Sequence, residues 1–256
     1  MGSKNSGSDV AVKQNTGVLL QSDMPDYIKK DSRRGTEGVT SDDVVIPRLE
    51  VVQALSPCLK KQDPAYIEGS EQGMLYNSVT RELYGIKAIV VPVMFKKEWI
   101  LWKARKSGGG FLGVAPTFDE AEAMKAAIPA EQAKADEIEN TDTAQQFCYL
   151  LKENGTFEEI VVSMSKSKMK VSRKWNSLIR IAGGDSFARA YAVTSVSEVN
   201  KRNESYFNFS VAVAGFPPKP VYEAAEKLYE RVKAGQVSAD RSDATGGEPE
   251  GSGTEV

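Results

Sequence analysis

Residues 86–102 (IKAIVVPVMFKKEWILW) are so dense in β-branched and aromatic side chains that they read as one long β-strand. Its length suggests a bend or bulge near Pro92, because proline cannot donate to a ladder. Such a strand needs neighbours, and turn signals mark them out at 46–54, which stops at Ser56-Pro57, and at 73–79, before a turn near 81–85. Segments 147–152 and 157–164 flank Asn154-Gly155, the strongest short hairpin signal in the chain, and 187–199 with 205–213 read as a second hairpin around 201–204. Three helical regions interrupt the strands. Residues 117–143 are rich in Ala, Glu, Lys and Asp, with Thr117 as N-cap and a break at Pro129, and read as an insertion on the sheet. Residues 165–181 place Met169, Trp175, Leu178 and Ile179 along one side and stop at Gly183-Gly184, and residues 221–234 follow a proline-rich breaker. Short strands with helices between them predict a mainly β, α+β fold with an antiparallel sheet, not a βαβ array.

The single domain is expected over 38–235. Residues 1–16 and the acidic tail 236–256 are almost free of large apolar groups, and the segment 1–37 and the tail are expected to be largely disordered. With 256 residues, 41% of them hydrophobic, the chain has enough apolar material for one sizeable core. It has no apolar run of spanning length, and its N-terminus lacks the apolar centre of a signal peptide, so a cytoplasmic location is expected. The two cysteines, Cys58 and Cys148, sit in no paired motif and read as buried thiols.

Histidine is absent, which removes the usual general base, the Ser-His and Cys-His nucleophile pairs and the commonest metal ligand. No phosphate-binding loop, dinucleotide fingerprint or calcium loop is present either. The expectation is a non-catalytic binding protein with no cofactor and no metal.

The net charge of -2 hides a segregation. Residues 95–106 carry a net +4 and residues 164–184 a net +6, while 117–142 carry -6 and 236–256 carry -4. A polyanion feels charge within a Debye length of about 8 Å, so a basic groove can bind nucleic acid on a slightly acidic protein. The first patch interleaves Lys96, Lys97, Lys103, Arg105 and Lys106 with Phe95, Trp99, Trp102 and Phe111. Cations that track phosphates, beside flat rings that stack on bases, are the pairing expected for single strands. The alternative for Trp99 and Trp102 is core packing; being three apart, they face opposite sides of a regular strand. In the second patch, Lys166, Lys168, Lys170, Arg173, Lys174 and Arg180 form either a solvated helix face or a phosphate-binding one. Trp175 falls on the apolar side of that helix. Tyr149, Tyr191 and Tyr206 lie in the hairpins, where some tyrosines face a core and others an open sheet surface.

Segments 45–57 (VIPRLEVVQALSP), 67–80 (IEGSEQGMLYNSVT), 86–110 and 163–179 (SMSKSKMKVSRKWNSLI) resemble bacteriophage single-stranded DNA-binding proteins. The resemblance covers most of 45–180, and its most specific part is the strand running into a Lys-rich helix with SRKWNSLI. It implies an OB-fold-like antiparallel barrel, with a helical insertion and disordered termini, that coats and protects single-stranded DNA in phage replication, recombination or repair. Phosphates would be met by Lys96, Lys97, Lys103, Arg105, Lys106, Lys166, Lys168, Lys170, Arg173 and Lys174. Bases would be met by Trp99, Trp102, Phe111, Tyr149, Tyr191 and Tyr206. Replication or recombination proteins are the further partners expected of an acidic tail, although this one ends in Val256 without the terminal aromatic frequent in such tails.

Two other readings compete. A virion structural or assembly protein would use the basic segments against acidic partner subunits. A carboxylate-dependent nuclease would hold magnesium on some of its acids. For the nuclease, the adjacent pairs Asp42-Asp43 and Glu158-Glu159 read more simply as a turn or cap and a hairpin edge.

Overall fold

The 86–102 run is the spine of a six-stranded antiparallel sheet. A computed structural model describes residues 34–40, 43–104 and 107–241. In chain order it contains β1 (Val45–Ile46), β2 (Leu49–Val51), β3 (Leu75–Asn77), β4 (Leu83–Gly85), β5 (Lys87–Lys103), β6 (Gly110–Ala115), α1 (Phe118–Ala126) and α2 (Ala130–Ala135). It continues with β7 (Glu139–Leu151), β8 (Phe157–Ser165), α3 (Met169–Ala182), β9 (Ala190–Val199), β10 (Ser205–Gly215), α4 (Lys219–Lys233) and β11 (Ser238–Ala239). Residues 34–39 fall outside the unit that carries the sheets, and among them the Gly35 N–H donates to Glu37 Oε2 at 2.8 Å. The unit from Thr40 onward carries the sheets.

At about 3.4 Å per residue, the 17 residues of β5 reach far enough to serve two neighbours on one edge. There β9 pairs with Lys87–Val90 and β6 with Trp99–Lys103, while β7 runs along the other edge from Ile89 to Trp102. The full order is β10-β9-β5-β7-β8 with β6 beside β5, and every pairing is antiparallel. The bulge anticipated near Pro92 is present: Pro92 faces Cys148 and Met94 faces Phe147, which leaves Val93 unpaired. Its carbonyl accepts instead from Ser186 Oγ at 2.5 Å. The extra residue shifts the alternation, so that the neighbours Val93 and Met94 both pack on the α4 side.

Each face of the sheet has its own core. On one, Trp175 and Val171 of α3 pack on Val90, Cys148, Ile160, Tyr191 and Phe209, together with Leu49 of β2 and Leu75 of β3. On the other, Val221, Ala225, Leu228 and Val232 of α4 pack on Val91, Phe147 and Val161. A smaller cluster of Leu101, Ala115, Ala121 and Ile138 holds the helical insertion. Its first helix starts as anticipated, Thr117 accepting the Glu120 N–H at 3.3 Å, and the break falls at Pro129.

Other elements differ from expectation. The insertion ends before residue 143, because Glu139–Thr143 extend β7 along the edge that β5 offers. Residues 238–239, expected within a disordered tail, pair in parallel with β1, and Asp240 is buried against Ser78 Oγ at 2.6 Å. Residues 1–33 and 242–256, which hold most of the expected disordered termini, lie outside the described residues.

The implied closed barrel is not formed among the described residues. Strands β10 and β8 end the sheet and do not pair with each other. The segment around β2 spans the gap between them. At one end Pro47 O accepts the Val161 N–H of β8 at 2.8 Å. At the other, the Gln53 amide clasps the Phe207 backbone of β10, donating to its carbonyl at 2.7 Å and accepting its N–H at 2.9 Å. The result is an open α+β fold whose edges are covered without being sealed. No helix among the described residues is long and apolar enough to cross a membrane.

Candidate nucleic-acid interface

Helix α3 is amphipathic by its 3.6-residue period. Val171 and Trp175 are buried with Met169, Leu178 and Ile179 beside them, while Lys170, Arg173, Lys174, Ser177, Arg180 and Ile181 line the exposed face. A short 3-10 turn over Lys166–Lys168 joins it to β8, with Lys166 at a φ of 47°, and Gly183 ends it at a φ of 69°.

The six cations of this segment divide into two kinds. Lys166 pairs with Glu139 at 2.9 Å, Lys170 pairs with Glu198 at 2.8 Å, and Lys168 is buried with its Nζ 4.8 Å from the centre of the Phe209 ring. Arg173, Lys174 and Arg180 stand exposed on the outer face, with no ion pair to any described residue. Lys168 therefore does not meet phosphates as the sequence suggested, since its ammonium points into the fold. Arg180, first read only as part of the charge run, joins the exposed set.

Glu198 ties this helix to the last hairpin, accepting from Lys170 Nζ, from the Tyr206 hydroxyl at 2.6 Å and from Asn208 Nδ2 at 2.9 Å. Burial works to raise its pKa, but the bonds from Asn208, Lys170 and Tyr206 outweigh that and hold the carboxyl below its ordinary 4.5. A lowered folded pKa means that the stabilisation is whole above 4.5 and is lost as pH falls through the folded value. Thermal melts followed from about pH 6 to pH 3 should therefore show a steeper loss in the native protein than in Glu198→Gln.

The first basic patch is largely neutralised. Lys96 donates to the Val232 carbonyl at 2.9 Å and so satisfies the C-terminal end of α4. Lys97 pairs with Asp142 at 3.0 Å and Lys103 with Asp136 at 2.7 Å. Arg105 and Lys106 lie outside the described residues. The signal for this pairing was in the sequence: the partners Asp136, Glu139 and Asp142 all belong to the -6 segment 117–142. Lys96→Met keeps the stem and removes the ammonium; it should cost about 1–2 kcal/mol in urea denaturation and leave single-strand affinity unchanged.

The aromatic residues are also redistributed. Tyr149 and Tyr191 cannot stack on bases, because both are buried; Tyr149 packs on Phe157 at 5.2 Å and Tyr191 on Trp175 at 5.9 Å between ring centres. Burial, with Glu159 beside it, pushes the Tyr149 hydroxyl well above its ordinary pKa. Tyr206 is half-buried and committed to Glu198. Trp99 rests edge-on against Phe118 at 4.9 Å, and Trp102 against Phe111 at 5.7 Å. Phe111 keeps 40% of its surface, with the Arg241 guanidinium 5.2 Å from its centre.

The acidic pairs weighed for a nuclease are placed as follows. Glu158 accepts from Tyr84 and pairs with Lys152, Glu159 pairs with Arg231, and Asp42 lies outside the described residues. Among the described residues no three Cys, Asp or Glu side chains gather as a metal-binding group.

No curated protein and no solved structure matches this chain. A family model described as the Pam3 phage gp34-like protein matches residues 13–238. With most of its length so matched, the chain belongs to the Pam3 phage gp34-like protein family.

Proposed function

We propose that this phage-family protein is a non-catalytic, sequence-independent single-stranded DNA-binding protein that coats and protects the strand during replication, recombination or repair. One observation carries the reading: Arg173, Lys174 and Arg180 share the outer face of α3 without a carboxylate partner among the described residues. Over the seven residues from Arg173 to Arg180 the helix rises about 10 Å, so the three charges form a short linear track. Like charges along one face repel, and a polyanion laid over them relieves that repulsion while releasing its own counterions. Lys166 and Lys170 extend the track: both ammonium groups are exposed, and the exposed pair of Lys166 with Glu139 is weak enough to exchange for a phosphate. The likeness to an oligonucleotide-binding barrel belongs to this reading too, and rests on antiparallel strands gathered about one core beneath α3.

Fluorescence anisotropy with labelled single-stranded and duplex DNA of equal length, at several salt concentrations, tests it. The expected result is tighter binding of the single strand, with log K falling against log salt at a slope of roughly -2 to -4, for three to five phosphates. Absence of binding at low salt would reject it and favour an assembly role in the virion.

A further inference from the structure

Phe95 is an exposed ring on the long strand β5. In register it faces Gln146 of β7, which faces Val162 of β8, and Val162 belongs to the core beneath α3. Lys97 likewise faces Ala144, which faces Met164, and both belong to that core. Residues opposite each other in a ladder share a side of the sheet, so Phe95 and Lys97 lie on the α3 side. They sit close to the end of β8, where the turn carrying Lys166 begins. Yet neither is covered: Phe95 keeps 39% of its surface, and the Lys97 side chain is 51% exposed. Trp99, Trp102, Phe111, Tyr149 and Tyr191 each pack on another ring, whereas Phe95 makes no ring contact with any described residue.

Two further features surround it. Strand β9 leaves β5 after Val90 and β6 joins only at Trp99, so residues 91–98 have no neighbouring strand on that edge among the described residues. The ring therefore borders a notch in the strand pairing, which Ser186 meets at Val93 and Arg241 at Glu98. Beside it, Gln146 is 1% exposed, and neither its amide nitrogen nor its amide oxygen has a hydrogen-bond partner among the described residues. Buried amides are normally satisfied, so this one is an unused donor and acceptor next to an open aromatic face.

We infer that Phe95 is a nucleobase-stacking platform, with Lys97 and Lys166 holding the adjoining phosphates, so that a single strand passes from the β5 notch onto the exposed face of α3. The inference rests on the single-strand reading above and adds what a basic helix lacks, a reason to prefer unpaired bases. Only an unstacked base can lay its face on a ring, whereas a duplex offers α3 phosphates alone.

The test compares an oligothymidine with an abasic strand of the same length and charge, each titrated into the full chain and into Phe95→Ala and Phe95→Tyr. The native protein should bind the thymidine strand roughly 5- to 100-fold more tightly than the abasic one, the range set by stacking of one base. Phe95→Ala should lower thymidine affinity to the abasic level and leave abasic affinity unchanged, while Phe95→Tyr should keep the preference. Equal affinity of the native protein for both strands, or an unreduced preference in Phe95→Ala, overturns the platform and leaves single-strand binding standing. Failure of the native protein to bind either strand overturns both.

Discussion

Reversing the three unpaired cations of α3 together, as Arg173→Glu, Lys174→Glu and Arg180→Glu, should abolish measurable single-strand binding at physiological salt and cut the salt slope by about 2. The slope follows from counterion release, at about 0.7 per phosphate contact on a single strand, multiplied by three contacts. The loss should be uniform across sequences, because phosphate contacts carry no base information. Stability should move by less than about 0.5 kcal/mol, since all three side chains lie on the exposed face and none holds a partner among the described residues. An anisotropy titration of the variant beside a urea melt checks both parts. A variant that melts like the native protein and keeps its slope would remove α3 from the interface.

Trp175→Ala should have the largest effect on the fold. The indole is fully buried, it anchors α3 to the sheet through Tyr191, and its removal leaves a cavity among Val90, Tyr191 and Phe209 that those strands cannot collapse to fill. A large-to-small change of this kind costs about 3–5 kcal/mol, a substantial share of the stability of a domain this size. Trp175→Phe should cost less, because it keeps a ring in place and removes an indole N–H that has no acceptor among the described residues. Urea denaturation of the three proteins gives the order. The comparison also separates the two faces of the helix, one holding the fold and the other holding the partner.

How far the sequence could be read depended on the range of the interactions involved. Strand β5, its bulge at Pro92 and the Asn154-Gly155 hairpin rest on β-branched density, a missing N–H and a local turn, all visible within a short window. Strand β6, which begins in the Gly108-Gly109-Gly110 run, forms because β5 offers an edge there, and no local propensity announces that. The parallel pair of Val45 with Ser238 joins the two ends of the large unit, and no window contains both. Closure of the barrel could not be judged either, because it turns on what reaches the outer edges of β8 and β10, and there Pro47 and a Gln53 side chain stand in for strands.

The site divides along the same line. The amphipathic pattern of α3 assigned Trp175 to the core and the cations to the other side, and the structure agrees except at Lys168. The first basic patch failed as a patch because Lys97 and Lys103 find acids tens of residues away, and because Lys96 serves the end of a helix that follows it by more than a hundred residues. Tyrosines in a strand alternate between faces, and which face is buried depends on the helix laid over it. That is why Tyr149 and Tyr191 read as candidates for stacking yet lie in the core.

The central claim, that the strand runs over the exposed face of α3, is tested most directly by acetylating surface lysines with and without saturating single-stranded DNA and reading each site by mass spectrometry. The account predicts that Lys174 loses reactivity, with Lys166, Lys170 and Lys97 following, while Lys219, Lys227 and Lys233 of α4, on the opposite side of the sheet, react as before. Protection of the α4 lysines with Lys174 left fully reactive would contradict it.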